Sequence, residues 1–355
     1  MPDATTRVFA PPGDLVALTS SEPLLFELAE RLWAPAPAGG TGGAIAIRVG
    51  RGEPSAGDFG EDGEYRDFSE GASVDGAAEP GSPRRNAVIF AFEERLRWVH
   101  GPTEFRCEVP GVLDVRIDLV SAGIRATLAP PLTLSLSKKS PSPLSSSTFL
   151  SFLARTLLEA PTAALLARRG WRALHAGAVT GPKGAVVVRG GSGAGKSTLV
   201  AAAQAAGLDV LGDESLLVSR ADPDDLASSV RELTLREDSA ALLGLLSRTR
   251  PAFSGGEEKR RVDLFALSRP EARAARRTST LLLGPRVPGP ARLVPLSPSE
   301  FLEEFARGEI PQEHVDGGAG AIALAWAGAD AIRLDGASDL RGAVALLKAL
   351  VTYRN

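Results

Sequence analysis

Cysteine is almost absent. Cys107 is the only one in 355 residues, which excludes an internal disulfide and a thiolate-based metal cluster. Histidine is nearly as scarce: His100, His175 and His314 are widely spaced, so no local pair has metal-ligand spacing. Charge of one sign is not in excess either. The formal net charge of -3 gives no general polyanion-binding surface, so nucleic acid is not an expected partner. No apolar run is long enough to span a bilayer, and the start Met1-Pro2-Asp3-Ala4 lacks the basic, then apolar, then small-residue order of a signal peptide. The expectation is a protein of a reducing, cytoplasmic setting with no membrane partner.

What is present is a composition 44% hydrophobic, enough for a sizeable core and one to three domains. The chain is organised around Gly190-Gly191-Ser192-Gly193-Ala194-Gly195-Lys196-Ser197, with Thr198 following. This fits the G-x-x-x-x-G-K-[ST] pattern, in which glycines let successive backbone N–H groups turn inward around a phosphate. Ala185-Val186-Val187-Val188 upstream reads as a buried strand, and Ser197 to Ala206 downstream as a helix. That order aims the positive end of a helix at an anion. Lys196 would reach the terminal phosphates and the Ser197 hydroxyl would ligate Mg2+.

The segment before residue 140 reads as a small, mostly antiparallel α+β domain (residues 1–140). Strands are expected at Asp14 to Leu18, Ala44 to Val49, Ala87 to Phe92, Leu96 to His100, Glu104 to Val109, Leu113 to Leu119 and Ile124 to Leu128. A helix through Leu24, Leu25, Leu28 and Leu32 is capped by Ser20 or Ser21. Arg51 to Arg85 reads as a mobile loop with a brief strand at Tyr65 to Phe68. His100 and Cys107 read as packing residues, having no partner in sequence.

Lys138 to Ser147 reads as a linker, and the second domain spans 148–355. A helix capped by Thr148 is interrupted or kinked at Pro161 and ends at Gly170. Leu174 to Val179 and Ala185 to Arg189, joined by Gly181-Pro182-Lys183-Gly184, should pair as an antiparallel hairpin, because the turn is too short for a parallel crossover. Leu208 to Glu214 is a strand ending in two acids, where an α/β sheet places its ligand crevice. Asp213 would hold the metal or accept a proton from an attacking hydroxyl, and Glu214 is the alternative for either role. Further on, Leu233 to Leu235 is a strand, Asp238 or Ser239 caps a helix over Ala240 to Arg248, and Ser254 to Arg261 is a flexible segment before a strand at Val262 to Leu267. Its Lys259 or Arg260 would close over the nucleotide phosphates. Arg273, Arg276 and Arg277 read as an exposed loop or helix face. Ser279 to Leu283, Arg292 to Leu296, Ala321 to Trp326 and Ala331 to Leu334 read as strands. Ser297 and Glu300 form a capping box, and a last helix runs through Val344, Leu347 and Val351.

Taken together, Leu174-His175-Ala176-Gly177, the glycine-rich loop and Gly212-Asp213-Glu214 resemble the HPr kinase/phosphorylase family, with its His-Gly strand, its G-x-S-G-x-G-K-S loop and its acidic strand end. The resemblance implies an α/β P-loop nucleotide-binding domain of the HPr kinase/phosphoenolpyruvate carboxykinase type. It implies ATP and Mg2+ as ligands, His175 near the phosphates, Lys196 and Ser197 holding nucleotide and metal, and Asp213 activating an acceptor hydroxyl. The second acid is Glu214 where the family typically has Asp, and no downstream glycine-rich signature of the phosphorolytic reaction is found. The chain looks more like divergent HPr-kinase-like proteins, some of which phosphorylate serine in a peptide. Relatives of this kind often assemble, so a homo-oligomer is an expectation. The activity implied is transfer of the γ-phosphoryl from ATP to a hydroxyl of a peptide, protein or small molecule. The competing reading is a nucleotide-binding regulatory module with little or no kinase activity.

Overall fold

The computed structural model describes most of residues 155–352 and, before them, residues 5–10, 16–20, 25, 26, 29, 34–35, 45–51, 64–65, 97–100, 104–109, 113–118, 120 and 123–128. The chain is a mixed α/β protein, with three sheets among the described residues. No helix among the described residues is long and apolar enough to cross a membrane.

The amino-terminal sheet shows, among the described residues, nine strands: β1 (Thr5–Ala10), β2 (Val16–Ser20), β3 (Ala34–Pro35), β4 (Ile45–Arg51), β5 (Glu64–Tyr65), β6 (Arg97–His100), β7 (Glu104–Val109), β8 (Leu113–Asp118) and β9 (Gly123–Leu128). They lie in the order β3-β1-β2-β4-β9-β8-β7-β6-β5. The pairing is antiparallel except where β4 lies parallel to β2 and to β9. Alternation of apolar and polar side chains decides the faces, although Asp114, Arg106 and Glu108 on the polar side are buried together. In β8, Leu113, Val115 and Ile117 are buried while Arg116 and Asp118 are exposed, and in β9 Ile124 and Ala126 are buried while Arg125 is exposed. Cys107 is buried on the apolar side. Leu25, Phe26 and Ala29 are helical and buried, while Leu24, Leu28 and Leu32 of the expected stripe lie outside the described residues. The expected strand at 87–92 and the linker at 138–147 lie outside the described residues, as does most of the expected loop at 51–85.

The second large sheet runs β10 (Trp171–Leu174), β14 (Leu216–Ser219), β15 (Asp225–Ser228), β19 (Ala274–Leu283), β12 (Gly184–Arg189), β11 (Gly177–Gly181), β13 (Asp209–Gly212). β21 (Ala331–Asp335) lies parallel to β19 and carries β20 (Arg292–Pro295) antiparallel on its other side. The hairpin β11–β12 forms as the four-residue turn requires. Period-two alternation sends Val179, Val186, Val188, Leu281 and Leu283 to one face and Ala178, Ala185, Val187 and Leu282 to the other. Helices α2 (Lys196–Ala205) and α6 (Leu340–Thr352) cover the first face, and α4 (Pro298–Ala306) and α5 (Gly318–Trp326) the second. A π-type turn over Arg155–Glu159 runs directly into helix α1 (Ala160–Arg168), so the helical ladder is irregular beside Pro161, whose missing N–H removes one of its bonds. Helix α3 (Glu237–Leu242) adjoins a third sheet of β16 (Glu232–Arg236), β18 (Glu257–Asp263) and β17 (Arg250–Ser254).

Several expectations are corrected. Ala321 to Trp326 is helix: Ala319, Ile322, Ala323 and Trp326 are the buried positions, a spacing of three and four that belongs to a helix, and Ala and Leu favour it. The strand expected over Leu174 to Val179 breaks at His175-Ala176, so its halves join different parts of the sheet. The charged run Glu257 to Arg261 is itself strand, the central one of its sheet, with Arg260 paired to Glu237 and Arg261 to Glu232. The helix expected over 240–248 covers Glu237–Leu242 instead, with Arg236 at its start and a separate 3-10 turn over Leu246–Arg248. Arg276 and Arg277 stand on β19, where Arg276 meets Asp222 and Asp225, and Arg277 lies between Asp224 and the Trp326 ring. The capping box forms as expected, with Pro298 in the first turn.

Candidate functional site

The site gathers where β12 and β13 end. After Arg189 the chain passes through residues 190–195 into α2. Gly193 and Gly195 take φ values of 73° and 103°, the left-handed region glycine enters freely. Gly195 caps α2 without any side-chain hydrogen bond, so the helix end presents backbone N–H groups and positive dipole together. The Ala194 amide turns back onto the Gly191 carbonyl at 3.2 Å and closes the loop.

Lys196 opens α2 and is buried. Its Nζ donates to the carbonyls of Gly190 at 2.8 Å and Gly191 at 3.2 Å. Burial pulls its pKa down, against the opposing pull of Asp213 and Glu214. Asp213, immediately after β13, is fully buried, and neither carboxylate oxygen has a hydrogen-bond partner. Burial first, and then the charge of Glu214, push its pKa up to about 7, while Ser197 and Lys196 favour the charged form. The Ser197 hydroxyl is thus near enough to act on the carboxylate without meeting hydrogen-bond geometry. A buried acid with two unsatisfied oxygens beside a lysine and a serine is poised for a cation.

Glu214 is the only non-glycine with positive φ among the described residues, at 62°. The Ser215 N–H donates to the Asp213 carbonyl at 2.8 Å, an i→i+2 turn whose left-handed form is rare. Such strain costs about 1–3 kcal/mol and persists where surroundings enforce it. One enforcer is His175, whose Nδ1 lies 2.9 Å from the Glu214 carbonyl. A carbonyl only accepts, so Nδ1 carries the proton. Arg189 holds His175 in turn: fully buried, it donates to the His175 carbonyl at 3.2 Å and to the Phe305 carbonyl at 3.0 Å, and stacks over the Phe305 ring.

An open cavity lies over these groups. Gly193, Gly195, Lys196, Ser197 and Thr198 line it together with His175 and Glu214, and Thr234, Arg236 and Lys259 line it from the third sheet. Arg236 and Lys259 are direct cross-strand partners and therefore share a face. Arg260, one residue on, points to the opposite side and pairs with Glu237. Of the residues expected at the site, Gly193, Gly195, Lys196, Ser197, Thr198, His175, Glu214 and Lys259 are brought together. Gly190, Gly191 and Ala194 shape the loop behind, Asp213 lies buried rather than at the cavity wall, Arg260 stands away, and Ser192 lies outside the described residues. Sequence reasoning missed Arg189, Thr234 and Arg236. The signal for the last two was alternation with Leu233 and Leu235, which turns both to the face opposite the leucines, where Arg236 is exposed and Thr234 buried.

Among the described residues no three His, Cys, Asp or Glu side chains stand close enough to hold a metal unaided. A divalent cation here would draw on a ligand's own oxygens as well, as Mg2+ does with nucleotide phosphates. No protein-family model matches the chain, and no curated protein matches it in sequence.

Proposed function

We propose that the chain is an ATP-dependent kinase of the HPr-kinase-like type, transferring the γ-phosphoryl to a hydroxyl of a peptide or protein. The observation that carries this reading is the meeting of a buried lysine and a buried, hydrogen-bond-starved aspartate beside one glycine-bent helix start. The residues fit a Mg-nucleotide. The uncapped end of α2 suits the phosphates, Lys196 the β- and γ-oxygens, and Ser197 with Asp213 the metal. Bound Mg2+ would neutralise charge on the transferring group. Lys196 adds a fixed positive charge already desolvated by the fold, and Lys259 and Arg236 supply two more from the opposite wall.

The geometry divides the acids. Asp213 is enclosed beside Ser197 and suits metal orientation, whereas Glu214 faces the cavity on a strained turn held by His175. Glu214 is accordingly the acceptor of the hydroxyl proton, with Asp213 orienting the metal side. Incubation with γ-labelled ATP and candidate serine-containing peptides tests this. Label should pass to an acceptor with the wild type, fall by at least two orders of magnitude in Glu214→Gln with Mg-nucleotide binding kept, and vanish in Lys196→Ala. Absence of any labelled acceptor, with ADP released no faster than by Lys196→Ala, would leave the regulatory nucleotide-binding module in its place.

A further inference from the structure

The amino-terminal sheet carries a feature the nucleotide reading does not use. The pairings Arg48↔Arg125, Arg116↔Arg125 and Arg106↔Arg116 place four arginines in one continuous row across β4, β9, β8 and β7. Direct cross-strand partners share a face, and the burial of Ile47, Val49, Ile124, Ala126, Val115 and Ile117 on the other side confirms which face it is. Neighbouring strands lie about 4.8 Å apart, so the row spans roughly 14 Å.

Its two halves differ in charge balance. On β7 and β8 the row is neutralised: Arg106 pairs with Asp114 at 2.9 Å and with Glu108 at 3.2 Å, and Arg116 with Asp114 at 3.3 Å. On β4 and β9, Arg48 and Arg125 are exposed and make no ion pair or hydrogen bond among the described residues. The positions flanking them on this face are Ala46, Gly50, Gly123 and Thr127, which offer no negative charge. Like charges directly opposite destabilise a sheet, so this half is built in want of anions.

We propose that Arg48 and Arg125, with Arg116 at their edge, form a docking surface for an acidic segment of a protein partner. The partner's chemistry follows from the row. Guanidinium groups pair bidentately with carboxylates, and the spacing of the strands is close to the 5–6 Å between side chains at i and i+4 of a helix. A helix with Glu at every fourth position therefore meets successive arginines. Nucleic acid fits less well. The row is one residue wide, acids Asp114, Glu108, Asp118 and Glu104 bound its β7–β8 half, and none of the four positions flanking Arg48 and Arg125 is aromatic to stack a base.

The test is fluorescence anisotropy on the full chain with a labelled alanine-based helical peptide carrying Glu at every fourth position. Binding is expected to weaken at least tenfold in Arg48→Gln/Arg125→Gln, to be unchanged in Lys196→Ala, and to be absent for the same peptide with Gln in place of Glu. The Lys196→Ala control separates this surface from the nucleotide site, so either reading can fail alone. The double variant should melt no lower than the wild type, because it removes a like-charge contact. Equal binding by the double variant, or tighter binding of a single-stranded oligonucleotide, overturns the proposal. So does binding that emerges only when the acids of residues 53–79, nine against one arginine, are changed to Asn and Gln, since the chain's own segment would then be the occupant.

Discussion

Replacing Asp213 by Asn should change how stability depends on pH, and the size of the change follows from burial. The side chain is fully enclosed, and its pKa is pushed up to about 7 from 3.8. Below the unfolded value both states hold the proton and the group contributes no slope. Between 3.8 and about 7 the folded state binds a proton the unfolded chain has released, so stability falls as pH rises. Above 7 the loss is complete. At ~1.4 kcal/mol for each pH unit the two values are apart, the total is roughly 4 kcal/mol, or about 2–4 once relaxation around a coupled group is allowed for.

The Asn variant keeps the volume and has nothing to titrate. Its amide also lacks partners, which costs about 1–3 kcal/mol, but that cost does not vary with pH. The quantity to measure is therefore the difference between the two proteins' urea-unfolding free energies at pH 8 and at pH 4. It should move in favour of the variant by about 2–4 kcal/mol on going to the higher pH. Parallel curves for the two proteins would refute the reasoning, because they would mean Asp213 is ionised as easily in the fold as in water. Saturating Mg-nucleotide should reduce the difference, since a cation at Asp213 favours its charged form.

Two further outcomes follow from contacts. Gly177→Ala should cost about 1–3 kcal/mol by thermal melting and weaken nucleotide binding, because a Cβ there would stand 2.6 Å from Val200 Cγ2 and 3.2 Å from Asp213 Oδ1, forcing α2 away from the acid. Lys259→Ala should weaken ATP binding about tenfold or more, as for loss of one charge-assisted hydrogen bond, whereas Arg260→Ala, which breaks a half-exposed pair with Glu237, should leave affinity within about twofold. Titration calorimetry on both variants reads the contrast, and equal losses would contradict the assignment of faces on β18.

Much of the site was legible because its signals are local. Glycine at positive φ, a lysine at a helix start and β-branched residues before them all act within ten residues, and the hairpin β11–β12 follows from the length of its turn. The errors share a different origin. Glu257 to Arg261 has the composition of a solvated loop, but β16 on one side and β17 on the other supply hydrogen-bond partners distant in sequence. That pairing decides that Lys259 faces the cavity while Arg260 does not. Arg189 was passed over because a charged residue ending a valine strand looks like a boundary. In the fold it is enclosed by Phe305, 116 residues away, and holds the His175 carbonyl.

Local chemistry thus placed the loop, while long-range pairing placed what surrounds it, and the acidic pair shows why both are needed. Asp213 and Glu214 are neighbours of nearly equal chemistry, and a regular strand would send them to opposite faces. Instead β13 ends at Gly212, and the chain turns sharply at Glu214, held by a hydrogen bond from a histidine 39 residues earlier. One acid is left enclosed beside Ser197 and the other turned to the cavity. If that turn is what separates their roles, exchanging the two residues should not preserve function even though composition and charge are unchanged. Asp at 214 would fall about one methylene short of the cavity, and Glu at 213 would overfill an enclosure that holds only Asp.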